Sequence, residues 1–283
     1  MKVICTEKSQ ILGTRLAASL GVDIADTRFA RFPDGELYLR AGSLDDAMVC
    51  VGSVVDSDSL VELLLLLDAC AGADTTLVIP YMGYARQDKQ FNPGEPVSAR
   101  AVARALSRGA DRVITVNIHE DTVLAHFDAP AASVSLAPDI GALIGTMGCA
   151  DPLILAPDGG ASAFAHAIAN VGGWDCDELK KTRLSGDQVR IEPKSIDVAG
   201  REAIIVDDII STGGTLATAT GMLYEQGAAA VHAACVHGVL ASGAYARLCH
   251  AGVRSITASD TIESACSRYS AADRIAAALR PIP

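Results

Sequence analysis

The stretch Ile204-Ile205-Val206-Asp207-Asp208-Ile209-Ile210-Ser211-Thr212-Gly213-Gly214-Thr215 reads as an apolar strand ending in two acidic residues. A loop of small hydroxyl and glycine residues follows, Ser211 to Thr215, and then a helix-like run from Leu216 to Gln226. Glycine lets a backbone approach a ligand closely, and hydroxyls add donors. Bare backbone N–H groups at a helix N-terminus favour an anion. The carboxylates of Asp207 and Asp208 suit the hydroxyls of a sugar, or a metal held between sugar and phosphates. Together these residues describe a site for a sugar phosphate. No G-x-x-x-x-G-K-[ST] pattern occurs, so the loop is not a nucleotide P-loop.

Outward from this stretch, apolar strand-like runs alternate with helix-like runs. Strands are expected at Lys2–Cys5, Met48–Val51, Leu77–Tyr81, Val113–Ile118, Leu153–Ala156, Ile204–Val206, Val231–Val236 and Ser255–Thr257. Helices are expected at Ser9–Leu20, Leu60–Ala71, Val97–Ser107, Ala161–Asn170, Leu216–Gln226 and Ala271–Leu279. That alternation predicts α/β architecture with largely parallel sheets. Phe29–Arg40 differs: it reads as a strand pair around the turn Pro33-Asp34-Gly35. Met48–Val78 and Ile204–His232 line up as an internal repeat of strand, polar loop, helix and strand. Only the second copy carries the acidic pair and the Thr-Gly-Gly-Thr run. The length of 283 residues and this repeat predict two domains, 1–145 and 146–283, with the chain end packing back.

Half the residues are hydrophobic, enough for a core in each domain, yet only 4% are aromatic, so those cores are built from Ala, Val, Leu and Ile. No apolar run is long enough to span a membrane. The eight cysteines are scattered singly with no C-x-x-C pair, which reads as reduced thiols in a cytoplasmic protein. A net charge of −11 disfavours general binding to nucleic acid. It also means that local basic residues must attract any polyphosphate: Arg86 and Lys89, and Lys180, Lys181 and Arg183.

Further constellations sit at the ends of expected strands, where open α/β sheets bind ligands. Pro80–Lys89 offers Arg86 for a phosphate fork and Gln87 for hydrogen bonding. His119, in Asn117-Ile118-His119-Glu120, is a candidate metal ligand. Asp158, in Pro157-Asp158-Gly159-Gly160, is a hard oxygen ligand suited to Mg²⁺; it is also a natural helix cap. Lys180–Asp187 reads as a cationic loop able to close over phosphates. Phe32-Pro33-Asp34-Gly35-Glu36 is a turn that could also grip a purine, with Phe32 stacking and the acidic groups accepting from an amino group.

Taken in order, Phe-Pro-Asp-Gly-Glu, Gly-Tyr-Ala-Arg-Gln-Asp, the strand-end His119, Pro-Asp-Gly-Gly, Lys-x-Arg and Asp-Asp-Ile-Ile-Ser-Thr-Gly-Gly-Thr resemble the ribose-phosphate diphosphokinases, or phosphoribosyl pyrophosphate synthetases. The resemblance runs from about residue 2 to the C-terminus. It implies two tandem type I phosphoribosyltransferase-like domains, with ATP and ribose 5-phosphate as substrates and Mg²⁺ as cofactor. By motif, it implies that Ser211, Thr212, Gly213, Gly214 and Thr215 hold the 5-phosphate, with Asp207 and Asp208 on the ribose hydroxyls. His119 would contact Mg²⁺ on the ATP phosphates and Asp158 a second Mg²⁺ near the ribose. Arg86 and Gln87 would bind ATP, and Lys181 and Arg183 would stabilise charge on the transferred group. Phe32, Asp34, Gly35 and Glu36 would reach the adenine site of a neighbouring subunit, which implies a homo-oligomer. Glu120-Asp121-Thr122 and Ser211-Thr212-Gly213-Gly214-Thr215 stand where better-known members have other residues, which resembles the archaeal-type branch. A nucleobase phosphoribosyltransferase and a catalytically silent synthetase-associated protein are the alternatives.

Overall fold

The computed structural model describes residues 1–179, 181–183, 189–191 and 196–280, and for 181–183 and 189–191 the backbone alone. The chain divides into two compact units. One comprises Met1–Ser135, Asp260–Glu263 and Ser270–Pro283; the other comprises Leu136–Ser259 and Ser264–Tyr269. The division falls between Ser135 and Leu136 rather than near position 145, so helix α4 (Ala137–Gly145) goes with the second unit, where it packs on α5 (Ser162–Gly172). Gly141 permits that contact: a Cβ there would lie 2.6 Å from Val171.

The first unit is built on a five-stranded sheet in the order β1 (Lys2–Cys5), β4 (Ala47–Val51), β5 (Asp74–Ile79), β6 (Arg112–Val116), β7 (Ala131–Val134), all parallel. The near-continuous burial of β1, β4, β5 and β6 explains their apolar sequences, since a parallel sheet is covered on both faces; the edge strand β7 is only partly buried. Helices α1 (Gln10–Leu20), α2 (Ser57–Ala69), α3 (Ser98–Ser107) and α8 (Ala272–Leu279) belong to this unit. Packing of α8 against α1 fulfils the expectation that the chain end returns. Between β1 and β4 an antiparallel hairpin, β2 (Thr27–Arg31) with β3 (Leu37–Ala41), stands apart from the main sheet.

The second unit repeats this plan. Its six-stranded sheet runs β9 (Cys176–Glu178), β8 (Leu153–Ala156), β12 (Glu202–Ile210), β13 (Ala230–Gly238), β14 (Val253–Ser259), β15 (Ser267–Tyr269). Apart from β9, the spatial order 8-12-13-14-15 reproduces 1-4-5-6-7. An antiparallel hairpin again lies between the first two core strands in sequence: β10 (Lys181–Arg183) with β11 (Val189–Ile191). The expected repeat is therefore β4–α2–β5 against β12–α6–β13, where α6 spans Gly214–Glu225. The remaining helix of this unit, α7 (Ala244–His250), packs on α6 and β14.

Candidate active site

In the second unit, β12 runs past the acidic pair to Ile210 instead of ending at Val206. Ile209 and Ile210 are buried and continue the ladder onto His237 and Gly238 of β13, which is why the strand extends. Asp207 and Asp208 are thus held by the sheet itself, and the backbone N–H of Asp208 donates to Asp207 Oδ1 at 2.9 Å. Burial pushes the Asp207 carboxyl well above the usual carboxylate range, and the charges of Asp208 and Asp158 add to the shift. A cation, or hydroxyls that donate to the carboxylates, would relieve this crowding.

Asp158 follows β8, the strand beside β12, and caps a short turn of 3-10 helix by accepting from Gly160 N–H at 3.0 Å. It therefore is a helix cap as well as a candidate ligand. Glu178 joins this group: a Cβ on Gly159 would lie 3.9 Å from Glu178 Oε2, and Ala156 pairs with Glu178 across β8 and β9. Glu178 carries no local signal in the sequence. Its strand is three polar-rich residues with no periodicity.

Ser211 and Thr212 form the turn after β12, and α6 starts at Gly214, so Gly214 and Thr215 lie in its first turn. Gly213 has φ +70°, the left-handed region, and a Cβ there would come within 3.1 Å of Leu248 Cγ. Among the described residues no side chain caps α6, and a Cβ on Gly214 would meet none of their atoms within 4 Å. The first N–H groups of a helix have no intrahelical partner, so this end presents donors toward an open volume. Arg247 of α7 holds the turn from behind, donating from Nη1 to the carbonyl of Thr212 and from Nη2 to that of Ser242 at 3.1 Å. Arg247 also went unnoticed in the sequence; its signal is a long-range contact that no motif contains.

The repeat fails at the equivalent loop of the first unit, with a physical cause. Gly52, Ser53 and Val54 are buried there. A Cβ on Gly52 would sit 2.6 Å from Leu63, and Ser53 Oγ donates to Thr261 O at 2.6 Å. The N-terminus of α2 is closed by its own capping box, Asp56 with Ser59. Side chains fill that loop, and the N–H groups of Ser53, Val54, Val55, Asp56 and Ser59 are already bonded.

Lys181 and Arg183 lie on β10, in register with Ile191 and Val189, so the segment expected as a loop is a hairpin strand at these positions. Lys180 and 184–188 of that segment lie outside the described residues.

In the first unit, Phe32–Glu36 forms the tip of the β2–β3 hairpin and is exposed throughout. Gly35, at φ +96°, closes the turn with Gly35 N–H to Phe32 O at 2.9 Å, and Phe32 N–H donates to Glu36 O at 2.9 Å. Arg31 braces the tip by donating to Gly35 O at 2.9 Å and pairing with Asp58 at 2.7 Å. Phe32 stacks edge-on to Tyr38, with centroids 5.7 Å apart, yet remains 49% exposed, so one ring face is available.

Arg86 and Gln87 follow β5, as expected. This loop is stitched to the β4–α2 connection: Val54 N–H donates to Tyr81 O and Gly83 N–H to Val54 O, each at 2.8 Å. A Cβ on Gly83 would lie 2.3 Å from Val54 O, so only glycine fits. Tyr84 adopts φ +68°, a costly conformation for a bulky residue and typical of functional loops. Arg86 is exposed. Gln87 Nε2 donates to Glu95 Oε2 at 3.1 Å. Glu95 also gathers the N–H groups of Phe91 and Asn92 at 3.0 and 2.9 Å.

His119 is exposed three residues beyond β6, and two residues after Asn117, which adopts φ +37°. Asn117 and Ile118 anchor the turn by donating to Val134 O at 2.9 Å and Ser133 Oγ at 3.1 Å. Arg86, Gln87 and His119 in the first unit, and Asp158 and Asp207–Thr215 in the second, thus lie toward the C-terminal ends of sheet strands, while Phe32–Glu36, Lys181 and Arg183 sit on hairpins.

The model for the N-terminal domain of ribose phosphate pyrophosphokinase matches residues 1–109, and that for the phosphoribosyl transferase domain matches 141–271. The ribose-phosphate pyrophosphokinase of Methanosarcina mazei is 50% identical over 282 residues, covering 99% of this chain and 95% of that protein. The chain belongs to the ribose-phosphate pyrophosphokinase family. The Halobacterium salinarum member is 46% identical over 277 residues, covering 96% of this chain and 98% of that one. In three dimensions the chain is similar to the phosphoribosylpyrophosphate synthetase of Mycobacterium smegmatis, with a TM-score of 0.83 at 29% identity, covering 98% of this chain and 96% of that one. The archaeal relatives agree with the branch expected from the Ser211–Thr215 loop. Two matched domains and parallel sheets flanked by helices also agree with the expected fold class.

Proposed function

We propose that the chain transfers the β,γ-diphosphoryl group of ATP to the 1-hydroxyl of ribose 5-phosphate, giving phosphoribosyl pyrophosphate and AMP. The observation that carries this reading is the asymmetry of the duplicated fold. One unit has an open, uncapped helix start behind a carboxylate pair; the other has that loop filled and its helix capped, but carries Arg86 and His119 at neighbouring strand ends. A nucleobase phosphoribosyltransferase needs only the first kind of unit. A catalytically silent relative has no need for the carboxylates, His119 and the Lys-x-Arg pair together.

In this reading the 5-phosphate rests on the N-terminus of α6, among Ser211 to Thr215, while Asp207 and Asp208 accept hydrogen bonds from the ribose hydroxyls. The crowding of Asp158 and Asp208 on Asp207 fits a magnesium ion near the ribose, with Asp158 as its protein ligand. His119 serves a second magnesium on the ATP phosphates. Magnesium, when bound, neutralises phosphate charge. Arg86 binds the ATP phosphates, and the exposed Phe32, Asp34, Gly35 and Glu36 receive the adenine of a neighbouring subunit. Gln87 supports ATP by holding its loop through Glu95. The ribose 1-oxygen bonds to the β-phosphorus as the bond to the bridging α–β oxygen breaks, and the hydroxyl proton is released. Lys181 and Arg183 stabilise the charge that grows on the transferred group, and Arg183 also meets the ribose 5-phosphate side.

³¹P NMR of the purified protein with ATP, Mg²⁺ and ribose 5-phosphate tests this reading. AMP with a sugar-linked diphosphate is expected; ADP would overturn diphosphoryl transfer, and absence of turnover with intact ribose 5-phosphate binding would favour a regulatory protein.

A further inference from the structure

At the opposite end of β12 from its phosphate loop, a second group of side chains converges. Glu202 is the first residue of β12, His232 lies on β13, and Cys149 follows α4. Sγ of Cys149, a carboxylate oxygen of Glu202 and a ring nitrogen of His232 all lie within 4.8 Å of one another. The five steps from Glu202 to Asp207 span roughly 17 Å of extended strand, so this group is separate from the sugar-phosphate loop.

His232 carries the argument. Its side chain is 9% exposed, and Nε2 is buried without any hydrogen-bond partner. The other ring nitrogen, Nδ1, lies 2.7 Å from Ser255 Oγ. A neutral imidazole whose Nδ1–H donates to Ser255 leaves a bare Nε2 lone pair aimed at the Glu202 carboxylate, 3.7 Å away. That separation is too long for a hydrogen bond. It is close to the roughly 3.3–3.6 Å expected between two ligands of one tetrahedral ion with bonds of about 2.0–2.3 Å. An orphaned buried acceptor is costly, and a cation would satisfy it.

We propose that Cys149, Glu202 and His232 form a site for one zinc-class divalent cation, with Ser255 fixing the His232 tautomer from behind. Thiolate, imidazole and carboxylate together select a borderline-soft ion over Mg²⁺. Three protein ligands leave one position for water. Binding takes the proton from the Cys149 thiol, which hydrogen-bonds the Glu202 carboxylate. Burial holds His232 below its ordinary value, in the neutral form that ligates. Arg254, whose Nη1 lies 3.7 Å from Glu202, is 67% exposed and turns to solvent when the cation takes the carboxylate. The bound ion would tie the turn after α4 to the N-terminal edge of β12 and β13, a structural role away from the proposed chemistry.

Titration of the chelator-stripped full-length protein with Co²⁺ tests this. One equivalent should produce a thiolate-to-cobalt charge-transfer band that Zn²⁺ abolishes and excess Mg²⁺ does not. Cys149→Ser, at a half-exposed turn, should fold, retain ordinary turnover with Mg²⁺ and lose the band. Ser255→Ala should weaken affinity by about tenfold or more, and His119→Ala should leave the band intact. Absence of the band in the wild type, or its persistence in Cys149→Ser, would overturn the site.

Discussion

Arg247 donates to the carbonyl of Thr212, so a guanidinium on α7 holds the backbone of the loop that precedes α6. The residue touches no proposed substrate atom. It fixes where the donors of the loop point, with help from the second hydrogen bond to Ser242 at 3.1 Å. Non-glycine residues at positive φ, Leu240 and Ser242, shape the segment it clamps. Hydrogen bonds from a charged donor are worth about 1.5–3 kcal/mol, discounted here because the side chain is exposed. Arg247→Ala should therefore raise KM for ribose 5-phosphate by roughly tenfold, with a smaller change in KM for ATP. Equal effects on both substrates would remove the positioning role.

Asp207 sets a conflict between stability and use. Its carboxyl is raised by burial and by Asp208, so between the unfolded value and the higher folded value the native state binds more protons than the unfolded state. Stability then falls as pH rises through that window, so the raised carboxyl costs the native protein stability at neutral pH. Asp207→Asn should raise the Tm of the ligand-free protein at neutral pH by a few degrees, lose the gain in acid, and depress turnover. A lower Tm at neutral pH would show that the carboxylate is already compensated.

Lys181 and Arg183 occupy alternate positions of one hairpin strand, β10. Lys181→Ala should reduce kcat by about a hundredfold or more with little change in Tm. Asp208→Ala, by contrast, should weaken use of ribose 5-phosphate more than use of ATP. A loss below about tenfold for Lys181→Ala would remove its charge-stabilising role.

The sequence carried the fold wherever its signal was local. Apolar runs such as Leu153–Ala156 marked buried parallel strands, and the repeat of β4–α2–β5 in β12–α6–β13 foretold two similar sheets. It was silent wherever the signal lay in partners distant along the chain. β7, Ala131–Val134, has neither alternation nor a strong apolar run and is defined by pairing to β6. Glu178 enters the site only because β9 pairs with β8, and Arg247 only because α7 packs on α6. The extension of β12 through Asp207 and Asp208 was hidden for a related reason. Two carboxylates read as a strand end, but the two buried isoleucines after them keep the ladder going.

Gly83 is required by a backbone contact. With Val54 O only 2.3 Å from the position of a Cβ, Gly83→Ala must push apart the connection after β4 and the loop that carries Arg86. Overpacking of this kind costs about 1–3 kcal/mol. The variant should unfold several degrees lower and show a raised KM for ATP. An unchanged Tm would mean that the loop relaxes freely, and the precise placement of Arg86 would then owe nothing to Gly83.

The hairpin tip offers a test of assembly as well as of binding. Asp34 is exposed and makes only a long contact to Glu36 N–H at 3.4 Å, so its removal should not unfold the protein. If the tip completes the adenine site of a neighbouring subunit, Asp34→Ala should raise KM for ATP by roughly tenfold, the worth of a charge-assisted hydrogen bond. Mixing Asp34→Ala with Lys181→Ala subunits then becomes decisive. In a mixed pair, one site takes Lys181 from the first variant and Asp34 from the second, and is intact. With isologous pairing at equal proportions, about one quarter of the sites should recover at low ATP. Activity equal to the sum of the separate variants would place the tip against its own subunit's ATP.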